Sequence, residues 1–354
     1  MIKEKSFNKS HIASIANSQS KKLDLKLTEK VIRAFYLLEH LLKNNVQLIF
    51  KGGTALLLLS DDFRRLSIDI DIITGMNKGD LENIFPEIIN NSNYISWSED
   101  KRQKTGVNAP VAHYKFFYES NINSSFGNEP ILLDVLFTKS PYPELIELDL
   151  KHKYLITDDI YMKVKLPTVE AILGDKLTAF APTTTGILYS KNRPIEMIKQ
   201  LFDVSFLFNI ASNLKTVKAS YIKVVEEEIK FRALDISWRD VLNDTVKACE
   251  IITFRDDNNL NFKTFRKGIA NIKSFIEDTF IIENAIICAS KTAYLCYLLL
   301  QESTSFKERY NNTKEIKNLI ITDYAYTKFN KLKKTNPEAF FYWYNALLLS
   351  GELE

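Results

Sequence analysis

Residues 51–74, KGGTALLLLSDDFRRLSIDIDIIT, constrain this chain more than any other stretch. A short apolar run, Gln47-Leu48-Ile49-Phe50, reads as a strand that Lys51-Gly52-Gly53-Thr54 breaks, and a helical segment follows over Ala55–Ser60. Leu66–Ile73 then alternates apolar and polar, which is the period of a half-buried strand. That period sends Ser67, Asp69 and Asp71 one way and Ile68, Ile70 and Ile72 the other way, into a core. Glycines at the turn let the backbone come close to a ligand. The first N–H groups of the helix behind them are open to anionic oxygens.

Two carboxylates one strand period apart can reach the same divalent cation. Mg²⁺ takes hard oxygen ligands, commonly a few carboxylates together with substrate phosphates. A third acidic residue, Asp134, sits in the apolar run ILLDVLF, which also reads as a strand. Beside the first strand it would complete a triad with Asp69 and Asp71, a donor set suited to in-line displacement at phosphorus. Taken singly, each element has an ordinary explanation: a tight turn for the glycines, a solvated edge for the aspartate pair, a hydrogen-bonded core aspartate for Asp134. Their order and short spacing together point to nucleotide chemistry.

The rest of the chain fixes the architecture. A length of 354 residues suggests about two domains, and 10 glycines and 9 prolines leave little room for long disordered linkers. Apolar residues at helical spacing run from about Leu23 to Lys43, and a further helix is expected near Lys78–Asn91. Val111–Glu119 and Pro130–Phe137 read as strands. From Thr168 onward the pattern is helical: Thr168–Ala181, Ile195–Asn209, Ala219–Phe231, Trp238–Ile252, Phe262–Phe280, Ile281–Leu300 and Pro337–Leu348. The expectation is an α+β protein, with an N-terminal extension (1–22), a mixed-sheet domain (23–210) and an all-helical C-terminal domain (211–354).

The segment Gly52-Gly53-Thr54-Ala55-Leu56 followed by Arg65-Leu66-Ser67-Ile68-Asp69-Ile70-Asp71 resembles the first motif of the AbiEii/AbiGii toxin family, within the DNA polymerase β-like nucleotidyltransferase superfamily. Gly174-Asp175-Lys176-Leu177-Thr178-Ala179-Phe180 is similar to the family's lysine-bearing helix, and Lys199-Gln200-Leu201-Phe202-Asp203-Val204 to its following acidic motif. The resemblance covers roughly residues 45–210. It implies a polymerase β-like domain that moves a nucleoside monophosphate from a triphosphate to an acceptor hydroxyl. Asp69 and Asp71 would hold Mg²⁺, with Mn²⁺ as the alternative ion. Lys51, Gly52, Gly53, Thr54, Arg65 and Ser67 would surround the nucleotide, Lys176 would offset phosphate charge, and Asp203 would orient Lys176 or the substrate. It further implies the toxin half of a type IV toxin–antitoxin or phage-defence pair, with a separate antitoxin partner and the tRNA 3′ end as favoured acceptor. Two alternatives stay open: transfer to a protein or antibiotic hydroxyl, and a non-catalytic nucleotide-binding or partner-binding module.

Other readings narrow the field. Basic and acidic residues number 47 and 44, a near balance that neither demands nor excludes a nucleic-acid partner. Basic clusters occur at Lys21-Lys22 with Lys26, Lys101-Arg102 with Lys104, and Lys331 with Lys333-Lys334. His11, His40, His113 and His152 lack metal-ligand spacing and read as ordinary core or surface histidines. Cys249, Cys288 and Cys296 have no CxxC spacing, as in a reducing cytoplasm. The N-terminus has no apolar signal region. Ile281–Leu300, interrupted by Glu283 and Lys291, reads as a buried helix and not a membrane span.

Overall fold

The computed structural model describes residues 1–18, 22–101, 108–122, 127–306, 309–312 and 316–353; Lys21, Arg102 and Lys104 lie outside them. Contacts divide the chain into two compact units. The first comprises Met1–Thr168 and Lys273–Thr279, the second Val169–Ile272 and Phe280–Glu354. The stretch 23–210 thus spans most of the first unit and the opening helices of the second.

In the first unit, helices α1 (Lys9–Ser18) and α2 (Leu25–Lys43) precede strand β1 (Ile49–Lys51), helix α3 (Gly52–Leu59) and strand β2 (Ile70–Thr74). Helices α4 (Lys78–Glu82) and α5 (Phe85–Asn90) lead to strands β3 (Tyr94–Glu99), β4 (Val111–Tyr118) and β5 (Glu129–Phe137). A two-stranded ribbon, β6 (Leu145–Asp149) and β7 (Lys163–Pro167), follows. The main sheet has the order β1-β2-β5-β4-β3. Strands β2 and β5 are parallel and the other pairs antiparallel, so the sheet is mixed as expected. One face carries Phe50, Ile70, Ile72, Leu133, Val135, Tyr114 and Phe116, all buried. Asp24 caps α2 by accepting from the Leu27 N–H at 2.9 Å, and the Val31, Phe35 and Leu38 stripe of that helix is buried.

Two sequence expectations change. The hydrogen-bonded part of the expected strand 66–73 is only Ile70–Thr74, and Ile68 is half-exposed instead of in the core. Residues before it are held by another segment: the Leu66 N–H donates to the Phe275 carbonyl at 2.7 Å, and the Glu277 N–H to the Arg64 carbonyl at 2.9 Å. The expected helix 262–280 correspondingly stops at Asn271, because residues 275–277 pair with this edge. The Glu277 carboxylate is buried there and accepts from the Tyr154 hydroxyl at 2.7 Å. Helical propensity gave way to tertiary pairing that the local pattern does not encode.

The regular elements of the second unit, among the described residues, are helices: α6 (Val169–Ala179), α7 (Pro194–Ile210), α8 (Leu214–Phe231), α9 (Trp238–Phe254), α10 (Leu260–Asn271), α11 (Ile282–Leu300), α12 (Leu332–Thr335) and α13 (Pro337–Ser350), joined by turns and irregular segments. Gly174 lets α6 approach α8 closely: a Cβ there would lie 2.6 Å from the Tyr221 nitrogen and 2.7 Å from the Val217 carbonyl oxygen. Helix α11 is the buried centre, as its composition suggests. Among the described residues no helix is long and apolar enough to cross a membrane. The three cysteines are free and buried.

Two histidines in the first unit make stability pH-dependent. Burial pushes His40 down to about 4 and His152 to about 3, each from an ordinary 6.5. His152 Nδ1 accepts the Tyr154 N–H at 3.3 Å, a bond that suits the neutral ring. Below about pH 6.5 the unfolded chain binds protons that the folded chain refuses, so folding weakens as pH falls toward 4. The expected slope is up to about 1.4 kcal/mol per pH unit per histidine. Urea midpoints measured from pH 7 to 4.5 should show it, and His40→Gln/His152→Gln should flatten it. An unchanged slope in that variant would show that neither ring contributes.

Candidate active site

The site grows from the end of β1. Lys51 closes the strand, and Gly52 opens α3 with φ +77°, a conformation that favours glycine. A Cβ on Gly52 would lie 2.6 Å from Asp71 Cγ, so the Asp71 carboxylate rests directly on the glycine. At Gly53 an added Cβ would meet Ser67 Oγ at 2.6 Å and Arg65 Nη2 at 2.7 Å. The two glycines are therefore the floor on which the acidic strand packs. Thr54 locks the arrangement: its buried hydroxyl donates to the Asp69 backbone carbonyl at 2.6 Å.

Strand register places the charged side chains in a row. Lys51 pairs with Asp71, Asp71 with Asp134, and Asp134 with His113. Residues directly opposite on paired strands project from the same face. All four are half-exposed, whereas their chain neighbours Phe50, Ile70, Ile72, Leu133, Val135, Ala112 and Tyr114 are buried on the other face. The row crosses four adjacent strands at one level of the sheet.

Asp71 and Asp134 are like charges on neighbouring strands, an arrangement that costs free energy without a compensating cation. Part of the compensation is visible, since His113 Nδ1 lies 2.7 Å from Asp134 Oδ1. With a carboxylate as acceptor, Nδ1 is the donor. The expected three-carboxylate cage is not preassembled: among the described residues no three His, Cys, Asp or Glu side chains are gathered as a metal cluster. Mg²⁺ retains waters and substrate phosphates and needs only one or two carboxylates. The donor set beside the glycine turn fits such an ion.

The remaining expected residues divide into two groups. Arg65 is buried and donates to the Leu66 carbonyl at 3.0 Å, with its guanidinium 5.5 Å from the Phe63 ring centroid. That is the position of a brace behind the turn. Lys51 is half-exposed, its Nζ 5.8 Å from the Tyr142 ring centroid. Lys176 and Asp203 belong to the second unit, on α6 and α7, and form a buried ion pair of 3.1 Å. Gln200 Oε1 also accepts from Lys176 Nζ, at 3.2 Å. The sequence reading missed His113. Its one signal was a polar position in an alternating strand; the β4–β5 register that brings it to Asp134 is not written locally.

A model of the family described as nucleotidyl transferase AbiEii toxin, type IV TA system, matches residues 36–278. No curated protein matches the chain. Among solved structures, JHP933 from Helicobacter pylori is similar at 15% identity and a TM-score of 0.45, covering 79% of this chain and 96% of its own. An antigenic nucleotidyltransferase-like protein from Paracoccidioides brasiliensis is similar at 15% identity and a TM-score of 0.36, covering 61% of this chain and 97% of its own.

Proposed function

The chain belongs to the AbiEii nucleotidyl transferase toxin family of type IV toxin–antitoxin systems, and from that premise we propose that it transfers a nucleoside monophosphate from an NTP to the 3′ end of tRNA, using Mg²⁺ held by Asp69 and Asp71. The observation that carries this reading is the cross-strand row Lys51–Asp71–Asp134–His113, with the Asp71 carboxylate seated on Gly52. Its natural context is a toxin restrained by a separate antitoxin, in phage defence. The ion, when bound, supplies charge neutralisation and orientation for the triphosphate.

The chain's own groups do the rest. The glycine turn admits phosphate oxygens to the backbone N–H groups that begin α3, a helix end with no side-chain cap. Lys51 adds positive charge at the same level of the sheet. Arg65 and Ser67 hold the turn in shape through Gly53, and Thr54 holds Asp69 in register. Asp134, anchored by His113, sets a second carboxylate beside Asp71. The acceptor hydroxyl then attacks the α-phosphorus as its proton passes to a neighbouring carboxylate or to water, the bond from the α-phosphorus to the bridging oxygen breaks, and pyrophosphate leaves. In the second unit, Asp203 holds the buried Lys176 ammonium at 3.1 Å.

A tRNA acceptor is supported by the exposed basic segment 317–334. Lys317, Lys328, Lys331 and Lys334 are exposed there with a single acid, Asp323, and Tyr324 is 94% exposed. Lys333 differs, because its Nζ donates to the carbonyls of Lys317 and Leu319, both at 2.8 Å, and so braces the segment. Lysines that meet phosphates give affinity that falls with salt, and an exposed tyrosine offers a stacking surface.

The test is direct. The protein is incubated with each labelled NTP, Mg²⁺ and total tRNA, with and without EDTA, and beside total protein and aminoglycoside acceptors. Label in tRNA that EDTA abolishes is the expected result. Label only in protein or aminoglycoside would replace the acceptor, and no transfer from any NTP would remove the reading. A Lys331→Glu/Lys334→Glu variant should bind tRNA at least about tenfold more weakly at low salt and show a salt slope about one to two units shallower. Unchanged tRNA affinity would clear that segment of the role.

A further inference from the structure

We propose that His113 is a positioning residue of the transfer reaction, fixing the Asp134 carboxylate beside Asp71; the inference rests on the metal-dependent reading above. Three observations carry it. His113 and Asp134 are cross-strand partners on β4 and β5, and the Nδ1–Oδ1 separation is 2.7 Å. Asp134 is in turn the cross-strand partner of Asp71 on β2. The His113 and Asp134 side chains are 22% and 29% exposed, so the pair opens on the working face of the sheet and is not sealed in the core.

The chemistry explains why a histidine suits this place. A carboxylate on a flat strand surface can rotate about its Cβ–Cγ bond, and it is pushed by the Asp71 charge beside it. A single donor from the neighbouring strand fixes its plane and takes up part of that charge. The donor must come from Nδ1, the ring nitrogen nearest the backbone, because the partner stands directly opposite on the adjacent strand. Partners that orient ligating or neighbouring carboxylates are worth about 10- to 100-fold in metal affinity or activity. Lysine in this position would add full charge on a long flexible stem and fix no plane.

The geometry makes the test specific. Asparagine places its amide nitrogen near the position of Nδ1, whereas glutamine reaches to the position of Nε2. His113→Ala and His113→Gln should lower kcat about 10- to 100-fold, leave KM for the NTP within about twofold, and weaken Mn²⁺ binding to the free protein, read by electron paramagnetic resonance. His113→Asn should restore most of both. An Asp134→Asn/His113→Ala double variant should be no worse than Asp134→Asn alone, since the histidine acts through that carboxylate. Parental kcat and Mn²⁺ affinity in His113→Ala would overturn the inference. Equal losses in the alanine, asparagine and glutamine variants, with a common fall in melting temperature, would reduce His113 to packing. Should the parent protein transfer nothing to any acceptor, the transfer role falls with that reading, and the Mn²⁺ comparison tests only the orienting contact: asparagine rescue of Mn²⁺ affinity upholds that His113 fixes the Asp134 carboxylate, and its absence overturns it.

Discussion

An Asp71→Asn variant should lose nucleotidyl transfer by roughly a thousandfold or more while folding as well as the parent, a change equivalent to about 4 kcal/mol in the barrier. Asparagine keeps the shape of the side chain that rests on Gly52 and removes its charge. If Asp71 holds the ion, metal and triphosphate binding need the charge, whereas the contact with Gly52 needs only the shape. Removing one of two like charges on adjacent strands should if anything relieve the sheet. The melting temperature is therefore expected to stay level or rise while single-turnover transfer collapses. Transfer at more than about a tenth of the parental rate would show that Asp71 is not the group that holds the ion.

Gly52→Ala provides the converse arm of the same test. It leaves every charge in place and forces a Cβ into the Asp71 carboxylate, at a backbone angle that alanine resists. The strand has to shift or the turn has to change its conformation. Activity and stability should fall together here, whereas in Asp71→Asn only activity falls. A Gly52→Ala protein with parental activity would contradict the seating of the carboxylate on the turn.

The legible part of this molecule was local. A glycine pair between a strand and a helix, and an alternating strand with acids on its open side, are written in consecutive residues, and the structure places Gly52 against Asp71 and Thr54 against Asp69. Strands β4 and β5 and most helices followed from periodicity of 2 and 3.6. What escaped was carried by distant partners. Residues 275–277 abandon a helical pattern to pair with Arg64–Leu66, more than 200 positions earlier in the chain, as the Arg64–Glu277 separation of 213 shows. Strand β3 alternates weakly, and the β6–β7 ribbon, though residues 163–166 alternate, consists of two five-residue strands whose pairing is set by each other and not by the local pattern. His113 could not be told from a surface histidine, because its meaning depends on which residue of β5 stands opposite.

The largest effect on stability should come from the second unit, at Asp203. Its carboxylate is fully buried against Lys176, itself only 7% exposed. Asp203→Ala leaves, in a low-dielectric setting, an ammonium that still donates to Gln200 Oε1, at 3.2 Å. Removing one partner of a buried pair costs about 3–5 kcal/mol. Lys176→Met on its own leaves the mirror problem, a buried carboxylate without its ammonium, and should also destabilise. The Lys176→Met/Asp203→Leu double variant removes both charges and should recover most of the loss. Urea unfolding followed by tryptophan emission can read this, because Trp238 and Trp343 lie in the second unit. Parental stability in Asp203→Ala would mean that the ion pair does not hold the helices. Activity separates the two roles of the pair: if Lys176 offsets phosphate charge, the double variant regains its fold and stays inactive. If it also regains transfer, the pair is structural alone, and the chemistry belongs entirely to the groups of the first unit.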